Sequence, residues 1–357
     1  MENVAIGISG GVDSAVAAAI IVEQGYKAEG IFMKNWEEDS DYCTSEEDYK
    51  DALQVCEILG IPLRSVNFSN EYWNNVFKYF LDEYKNGRTP NPDILCNTEI
   101  KFKTFLNYAL ELGADKIATG HYSRILNNKN SLLLARGSDK SKDQSYFLYG
   151  LSQKQLSHAL FPIGDSNKTN IREKAKKLGF NNYCKKDSTG ICFIGEKHFK
   201  KFLKRYLPAQ PGDIITQKGK TIGQHEGLMY HTIGQRQGLG IGGGHGKLDK
   251  PWYVLDKNMD NNTLIVGQGQ DHRDLYHRNL SCSQINWING EFPETKTLSA
   301  KIRYRAPDTP CKINRNTKWS ISVMFDDPQF AIAPGQSIVF YDKDTCLGGG
   351  VIDSRWN

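Results

Sequence analysis

The stretch that decides the fold is residues 3–25, which begins Asn3-Val4-Ala5-Ile6-Gly7-Ile8-Ser9-Gly10-Gly11-Val12-Asp13-Ser14 and continues as an alanine-rich run. The apolar start predicts a short buried strand, the glycines predict a turn, and the remainder predicts a helix. Such a turn aims backbone N–H groups and the positive end of the helix dipole at one point. The stretch therefore predicts a strand–turn–helix unit that can bind an anion.

The residues of this turn allow two interpretations, a phosphate-binding loop and a tight turn that only caps the helix. The stretch lacks the Gly-Lys-Ser/Thr ending of a Walker A loop, which disfavours transfer of a terminal phosphate. Glycines let the backbone approach a phosphate closely. The plainer alternative is a tight turn in which Asp13 and Ser14 cap the helix.

Segments with strand and helix patterns alternate up to about residue 200, and this alternation predicts an open, mostly parallel α/β sheet. The predicted strands are Asn3–Ser9, Lys27–Met33, Pro62–Phe68 and Lys116–Thr119, and the predicted helices are Asp13–Gly25, Ser45–Leu59 and Ile100–Leu112. After Pro208, short β-like runs separated by turn residues predict a small β module and a β-barrel. We expect domains at 1–204, 205–270 and 271–357.

Composition and charge narrow the class of protein. The 357 residues are 39% hydrophobic and 24% charged, as in globular proteins, and no apolar run approaches the ~18–20 residues of a membrane span. Without a signal-peptide pattern, we expect a cytoplasmic protein. The net charge of +4 divides unevenly, with −8 in residues 1–50 and +10 in residues 140–205. The basic segment carries aromatic residues and suits RNA, although a solvated lysine-rich helix is the alternative for Lys174–Lys177.

Eight cysteines without a C-x-x-C pair predict thiols rather than a disulfide scaffold or a zinc site. Cys96 follows a proline-rich turn and precedes a predicted helix that starts near Asn97–Ile100, whose N-terminus would stabilise a thiolate. Cys192 lies in a polar turn after Lys185 and Lys186, which favour a thiolate as well. A single cysteine is more often a small buried hydrophobic residue than a reactive one. The motifs around Cys96 and Cys192 therefore have to show whether these two thiols react.

Those motifs occur in the order Asn91-Pro92-Asp93-x-x-Cys96-Asn97, Gly120-His121-Tyr122, Lys142-Asp143-Gln144-Ser145-Tyr146 and Gly190-Ile191-Cys192-Phe193. With Ser9–Ser14 they resemble the bacterial-type tRNA-specific 2-thiouridylases, the MnmA family of the PP-loop ATP pyrophosphatase superfamily. The resemblance continues to Pro334-Gly335-Gln336 and covers nearly the whole chain. It implies a Rossmann-like N-terminal domain of the adenine nucleotide alpha hydrolase-like type, a central adaptor domain and a C-terminal tRNA-binding β-barrel.

The resemblance also implies an activity. ATP would adenylate C2 of uridine 34, the wobble base of tRNAs for Lys, Glu and Gln, and sulfur would then replace the oxygen, with AMP and pyrophosphate as products. Sulfur would arrive as a persulfide on Cys192, delivered by a sulfur-carrier protein that a cysteine desulfurase feeds. Cys96 would be the second nucleophile, and Asp93 is the candidate general acid/base, with a helix or turn cap as an equal alternative. Direct attack by the persulfide and release of hydrosulfide both stay open.

Site residues follow from the same resemblance. The ATP site would comprise Gly7, Ile8, Ser9, Gly10, Gly11, Val12, Asp13, Ser14, Met33 against the adenine and Gly120 beneath the nucleotide, with Mg²⁺ on the phosphates. The tRNA contacts would be Asn91, Pro92, Asp93, His121, Lys142, Asp143, Gln144, Arg303, Tyr304 and Gln336. The family further implies a monomer acting on one tRNA.

Three alternatives remain. An amidotransferase-like or argininosuccinate-type synthetase would use the same ATP chemistry and need neither cysteine. A non-catalytic RNA-binding protein would bind tRNA and consume no ATP. Finally, Cys96 and Cys192 with one more ligand could hold an iron–sulfur cluster.

Overall fold

The computed structural model describes residues 1–37, 45–129, 131–187, 190–191, 194–195, 199–241, 250–295 and 298–357. The strands are β1 Asn3–Gly7, β2 Lys27–Lys34, β3 Leu63–Asn67, β4 Lys116–Ala118, β5 Ser123–Asn128, β6 Ser131–Arg136, β7 Ala159–Leu160, β8 Gly190–Ile191, β9 Ile194–Gly195, β10 Gly212–Thr216, β11 Thr221–His225, β12 Trp252–Asn258, β13 Thr263–Gln268, β14 Tyr276–Trp287, β15 Leu298–Lys301, β16 Thr309–Arg315, β17 Ser320–Phe330, β18 Ser337–Asp342 and β19 Thr345–Trp356.

The helices are α1 Val12–Glu23, α2 Ser45–Leu59, α3 Ser69–Tyr72, α4 Lys78–Lys85, α5 Pro92–Leu95, α6 Leu106–Glu111, α7 Gln153–Ser157, α8 Lys168–Lys177 and α9 Phe199–Tyr206. Two π-helical segments, Trp73–Phe77 and Cys96–Phe105, connect α3 to α4 and α5 to α6. Within the described ranges, no helix is both long and apolar enough to span a bilayer.

The N-terminal sheet is parallel and has the order β3-β2-β1-β4-β7. The chain moves from β1 through β2 to β3 on one side and then returns to place β4 on the other side of β1. Ligands of open α/β sheets bind outside the carboxyl ends of the strands at such a reversal of strand order. The topology therefore directs attention to the loops that follow β1 and β4.

Residue pattern explains why β1 and α1 form here. Val4 and Ile6 pack on one face of the sheet and Ala5 on the other, the alternation expected of a strand buried on both faces. In α1, alanines allow close packing, and the helix is buried nearly all round between the sheet and α8. The predicted alternation of strands and helices is confirmed, and α2 has the predicted bounds.

The C-terminal part forms a closed six-stranded barrel, since β14-β17-β16-β15-β18-β19 are paired in order and β14 also pairs with β19. A central four-stranded sheet of order β11-β10-β13-β12 precedes it. The hairpin β5–β6 of the N-terminal part joins the barrel, because β6 pairs with β19 at Ala135 and Thr345. The sequence analysis did not anticipate this extension of the barrel across the chain.

One predicted helix boundary is wrong. The helical turn around Cys96 begins at Pro92, with Asn91 as its N-cap, whereas the sequence analysis placed the helix start near Asn97. Cys96 is consequently the C-cap of this first short helix and continues directly into the π-helical segment. The thiol lies past the first turn, where the dipole effect that was invoked to stabilise a thiolate is weaker.

Candidate functional site

Hydrogen bonds within the loop between β1 and α1 fix its shape. The Ser14 hydroxyl donates to the Gly11 carbonyl (3.0 Å) and accepts from the Ser9 N–H (3.2 Å). Gly11 is the N-cap of α1 and supplies no side chain, so neither Asp13 nor Ser14 caps the helix as the plainer interpretation required. Gly10 has φ +75°, and a Cβ there would lie 2.4 Å from the Asp48 carbonyl oxygen.

The loop after β4 lies directly against the first turn of α1. A Cβ on Gly120 would be 2.6 Å from the backbone N of Ser14 and 2.7 Å from the carbonyl carbon of Asp13. Contacts that short do not occur, so this position requires glycine. The structure thus brings Gly120 and Ser9–Ser14 together at the reversal of strand order, as the ATP-site prediction requires.

The predicted Met33 also lies near this loop. It is in β2, next to β1, and its Cε is 3.2 Å from the place that a Gly7 Cβ would occupy. Ile8 and Val12 are buried and fix the two ends of the loop. Contact of Met33 with adenine stays a prediction.

Asp13 links the loop to a network of hydrogen bonds and ion pairs. Its carboxylate accepts from the Tyr122 hydroxyl (2.7 Å) and from Lys168 Nζ (2.8 and 2.9 Å). Lys168 also contacts Asp187, which in turn accepts from Lys142 (2.6 Å). Burial alone would raise the pKa of Asp187, but the hydrogen bonds from Lys142 and Lys168 outweigh it and leave that pKa below its usual value.

Cys96 and Asp93 lie on one helical turn in a largely apolar environment. Cys96 is buried among aromatic and aliphatic side chains. Burial raises the pKa of the Asp93 carboxyl, and the nearby Lys101 only partly opposes this. Asp93 also lies in the first turn of α5, where its backbone N–H donates to the Asn91 side chain (3.1 Å). A carboxyl with a raised pKa retains its proton closer to neutral pH, as a general acid/base needs.

A short series of contacts connects Cys96 to the glycine loop. Asn97, the next residue, accepts at Oδ1 from His121 Nε2 (3.1 Å). The His121 Nδ1 faces the Thr119 hydroxyl at 2.7 Å, which fits a neutral ring with its proton on Nε2. Burial holds the pKa of His121 well below 6.5. Because Gly120 precedes His121 and lies against Ser14, a series of adjacent residues runs from Asn97, the neighbour of Cys96, to the glycine loop.

A separate cavity of about 240 Å³ lies between this helix and the barrel. Its lining includes Asn91, Ile94, Leu95 and Thr98. Asp93 and Cys96 are not among its lining residues.

Comparisons with known proteins cover nearly the whole chain. Family models described as the HUP domain and the PRC-barrel domain of a tRNA methyl transferase match residues 2–196 and 200–268, and one described as an aminomethyltransferase β-barrel domain matches 277–352. The tRNA-specific 2-thiouridylase MnmA of Pseudomonas savastanoi pv. phaseolicola is 57% identical over 99% of this chain and 94% of its own length. This chain belongs to the tRNA-specific 2-thiouridylase family. The methyl transferase wording of two models differs from the names of these much more similar relatives.

A second tRNA-specific 2-thiouridylase, from Methylococcus capsulatus, is 55% identical over 99% of this chain and 97% of the relative. Among solved structures, a U34-tRNA thiolase of Methanococcus maripaludis that contains an iron–sulfur cluster has a TM-score of 0.35 and 19% identity, covering 58% of this chain and 67% of that one. That structural similarity is too low to bear on function.

Cys192, the second cysteine that the family resemblance singles out, lies outside the described residues. Of the segment that leads to it, the structure describes the residues up to 187 and residues 190–191. Asn182 donates to the Gly10 carbonyl (2.9 Å), Lys185 pairs with Asp48 (2.7 Å) and Asp51, and Arg172 donates to the carbonyls of Tyr183 and Lys185. Residues 182–185 are thereby fixed against the glycine loop and α2.

Several residues predicted to contact tRNA make hydrogen bonds within the protein, and their contact with tRNA stays a prediction. Asp143 is buried and accepts from the N–H groups of Gly137 and Ser145 and from Arg136. Gln144 accepts from the Tyr122 N–H (2.9 Å).

Three further members of this set lie where the barrel meets the other parts of the chain. Arg303 donates to the carbonyls of Ile233 and Ala331, and Gln336 donates to that of Thr89. Tyr304 packs its ring on Phe147, with centroids 4.5 Å apart. Asn91 is a helix cap, Pro92 is the first residue of α5, and Lys142 pairs with Asp187. The structure therefore brings Asn91, Pro92 and Asp93 next to Cys96, while Arg303 and Gln336 connect the barrel to the other two parts.

The residues suited to a metal ion are few. In the ranges that the structure describes, no group of three His, Cys, Asp or Glu side chains is placed to hold one. Both oxygens of Asp13, the acid within the loop, accept from Lys168. A magnesium ion would therefore take its ligands mainly from phosphate oxygens and water, as this ion often does.

Sequence reasoning missed Lys168, Asp187, Tyr122 and Asn182 as site residues. Lys168 was part of the basic segment and Tyr122 part of a quoted motif, but nothing local distinguished them. Their partners are 155 and 109 residues away in the chain. Only the fold reveals these pairs.

Proposed function

We propose that this chain is a tRNA-uridine 2-sulfurtransferase that converts the wobble uridine 34 of tRNAs for Lys, Glu and Gln to 2-thiouridine. One observation supports this most strongly. The buried Cys96 is joined through Asn97, His121 and Gly120 to an anion-binding loop at the reversal of strand order. An enzyme that activates a base with ATP and then attacks it with sulfur needs both groups in one site.

ATP supplies the activation. The C2 oxygen of uracil is a poor leaving group until it attacks the α-phosphate of ATP and becomes part of a phosphate ester. Pyrophosphate leaves toward the N–H groups of Ser9–Ser14, which the positive end of α1 reinforces. Mg²⁺ is proposed as the counter-ion that accompanies the phosphates and neutralises their charge.

Sulfur transfer follows one of two routes. In the first, the outer sulfur of a Cys192 persulfide attacks C2 and AMP leaves, after which the Cys96 thiolate attacks the inner sulfur, forms a Cys96–Cys192 disulfide and releases 2-thiouridine. In the second, Cys96 attacks the persulfide first and releases hydrosulfide, which then attacks C2. Both routes end in the same disulfide, which an external thiol must reduce. Asp93, with its raised pKa, serves as the general acid/base.

The proposed partners are tRNA and an upstream sulfur-carrier protein fed by a cysteine desulfurase, with the enzyme acting as a monomer. The +10 segment at residues 140–205 supports tRNA binding. We propose that Asp143, Gln144, Arg303 and Gln336 support tRNA binding by shaping the surface, since their polar groups are engaged within the protein. The domain boundaries 1–204, 205–270 and 271–357 stay a proposal that the three family-model matches support.

The test uses full-length protein, a tRNA transcript with uridine 34, ATP and a persulfide donor. AMP release and 2-thiouridine are measured for the wild type, Cys96→Ser and Cys192→Ser. Cys184→Ser is the control, because Cys184 is exposed and lies outside the contacts described above. We expect both active-site variants to lose 2-thiouridine formation while the control retains it.

Other outcomes would point elsewhere. Normal product formation by both variants would contradict thiolation and favour a synthetase that needs neither cysteine. Binding of tRNA without ATP–pyrophosphate exchange would indicate an RNA-binding protein. Protein purified anaerobically, free of iron and active with the persulfide donor, would exclude the iron–sulfur cluster.

A further inference from the structure

Three cations converge on one carboxylate beside the glycine loop. Asp187 accepts from Lys142 (2.6 Å), contacts Lys168 (2.5 Å) and lies 3.7 Å from Arg172. Lys168 simultaneously contacts Asp13 at 2.8 Å in the first turn of α1. The cluster therefore joins the loop that would receive phosphate to the segment that leads toward Cys192.

Lys168 differs from the other lysines of the basic segment in its burial. Only 12% of its side chain is exposed, and its ammonium lies 5.9 Å from the centre of the Tyr122 ring. Burying a cation costs several kcal/mol unless anionic partners compensate it. The protein pairs it with Asp13, whose carboxylate, if left alone, would repel a phosphate at the N-terminus of α1.

We propose that Lys168 is the cation that binds the phosphate chain of ATP, and that Asp187 is its counter-ion when no nucleotide is bound. This rests on the proposed function, since it assigns a residue to the ATP site of that reaction. Phosphate oxygens replace the Asp187 carboxylate on Lys168, because both are anionic acceptors of similar hydrogen-bond length. Asp13 and Tyr122 hold the lysine in place during the exchange.

The exchange leaves no buried charge without a partner. Asp187 is 35% exposed at its side chain and keeps Lys142 and Arg172 when Lys168 turns to phosphate. Lys168 keeps Asp13 throughout. The two variants therefore have opposite expected effects: loss of Lys168 weakens nucleotide binding, and loss of the Asp187 charge strengthens it, because the nucleotide then competes with a weaker acceptor.

Calorimetry on the full chain tests this with ATP, pyrophosphate and AMP as probes. For Lys168→Met we expect the Kd of ATP and pyrophosphate to rise about tenfold to hundredfold, the value of one charge-assisted hydrogen bond, with little change for AMP. For Asp187→Asn we expect the Kd of ATP to fall several-fold. Lys174→Met is the matched control, since Lys174 is on the same helix and pairs with Glu23, away from the loop.

Each result decides the matter. Unchanged ATP affinity in Lys168→Met, or equal losses for AMP and ATP, would show a structural role and overturn the proposal. Weaker ATP binding in Asp187→Asn would show that this carboxylate does not compete with phosphate. If Lys168→Met fails to fold, the Asp187→Asn result still decides. Failure of the wild type to bind ATP would instead refute the proposed function.

Discussion

Replacing Gly120 with alanine tests whether the loop after β4 sets the shape of the anion site. The new methyl carbon would lie 2.6 Å from the Ser14 nitrogen and 2.7 Å from the Asp13 carbonyl carbon, whereas ordinary contact begins at 3.4 Å. Both neighbours are backbone atoms that no rotamer change can move away. The first turn of α1 and the β4 loop must therefore separate by about 0.8 Å. A displacement of about 1 Å at a reacting centre costs roughly a hundredfold in rate, or about 2.7 kcal/mol.

We expect Gly120→Ala to lower kcat/KM for tRNA-dependent AMP formation about a hundredfold, and to reduce the free energy of unfolding by about 1–3 kcal/mol. Gly223→Ala is the control, because a Cβ at Gly223 would meet nothing closer than Ile214 at 3.6 Å. The reasoning fails if folded Gly120→Ala protein keeps kcat/KM within about twofold of the wild type. A rate loss of the same size in Gly223→Ala would equally remove the geometric explanation.

The remaining predictions concern polar groups that the structure buries. Because burial holds the pKa of His121 well below 6.5, the unfolded chain binds more protons than the folded chain below that pH, and the free energy of unfolding falls by about 1.4 kcal/mol per pH unit on acidification. In urea unfolding between pH 6.5 and 5.0, the free energy of unfolding of His121→Gln should therefore depend less steeply on pH than that of the wild type. An unaltered pH dependence would contradict this prediction. Asp143→Ala takes an acceptor from the buried N–H groups of Gly137 and Ser145, while Arg136 keeps its ion pair with Asp308, so we expect a loss of about 2–4 kcal/mol in chemical unfolding; a loss below about 1 kcal/mol would argue against a structural role. Arg303→Met removes donors to two backbone carbonyls between the central module and the barrel, and should cost about 1.5–3 kcal/mol of stability; weaker tRNA binding at unchanged stability would assign this guanidinium to RNA instead.

The strand–turn–helix unit was predictable because its signals are local. Apolar residues in Asn3–Gly7, the glycines that follow and the alanines of Val12–Glu23 each favour one conformation within a few residues. The start of the helix at Pro92 could also have been predicted from the local sequence. Asn91 at the N-cap and Pro92 at the first helical position are typical of a helix N-terminus, but together with Pro90 they were interpreted as a rigid turn.

Other features have no local signal. The pairing of Lys168 with Asp13 joins residues 155 positions apart. The hairpin Ser123–Arg136 pairs with the last strand, where Thr345 meets Ala135 although 210 positions separate them in the sequence. Such contacts depend on which surfaces the completed fold places side by side.

That hairpin also connects the glycine loop to the barrel. Gly120 touches the glycine loop, and β5 begins three residues later at Ser123. Arg124, the next residue, pairs across the hairpin with Ala135, which also pairs with Thr345 of the barrel. Only a few residues of regular strand thus separate the anion loop from the barrel. Because sheet pairing fixes register, the barrel has a defined position relative to the glycine loop, which a flexible linker between independent domains would not provide. Under the proposed function, an RNA held on the barrel would therefore have a defined position relative to the activating phosphate.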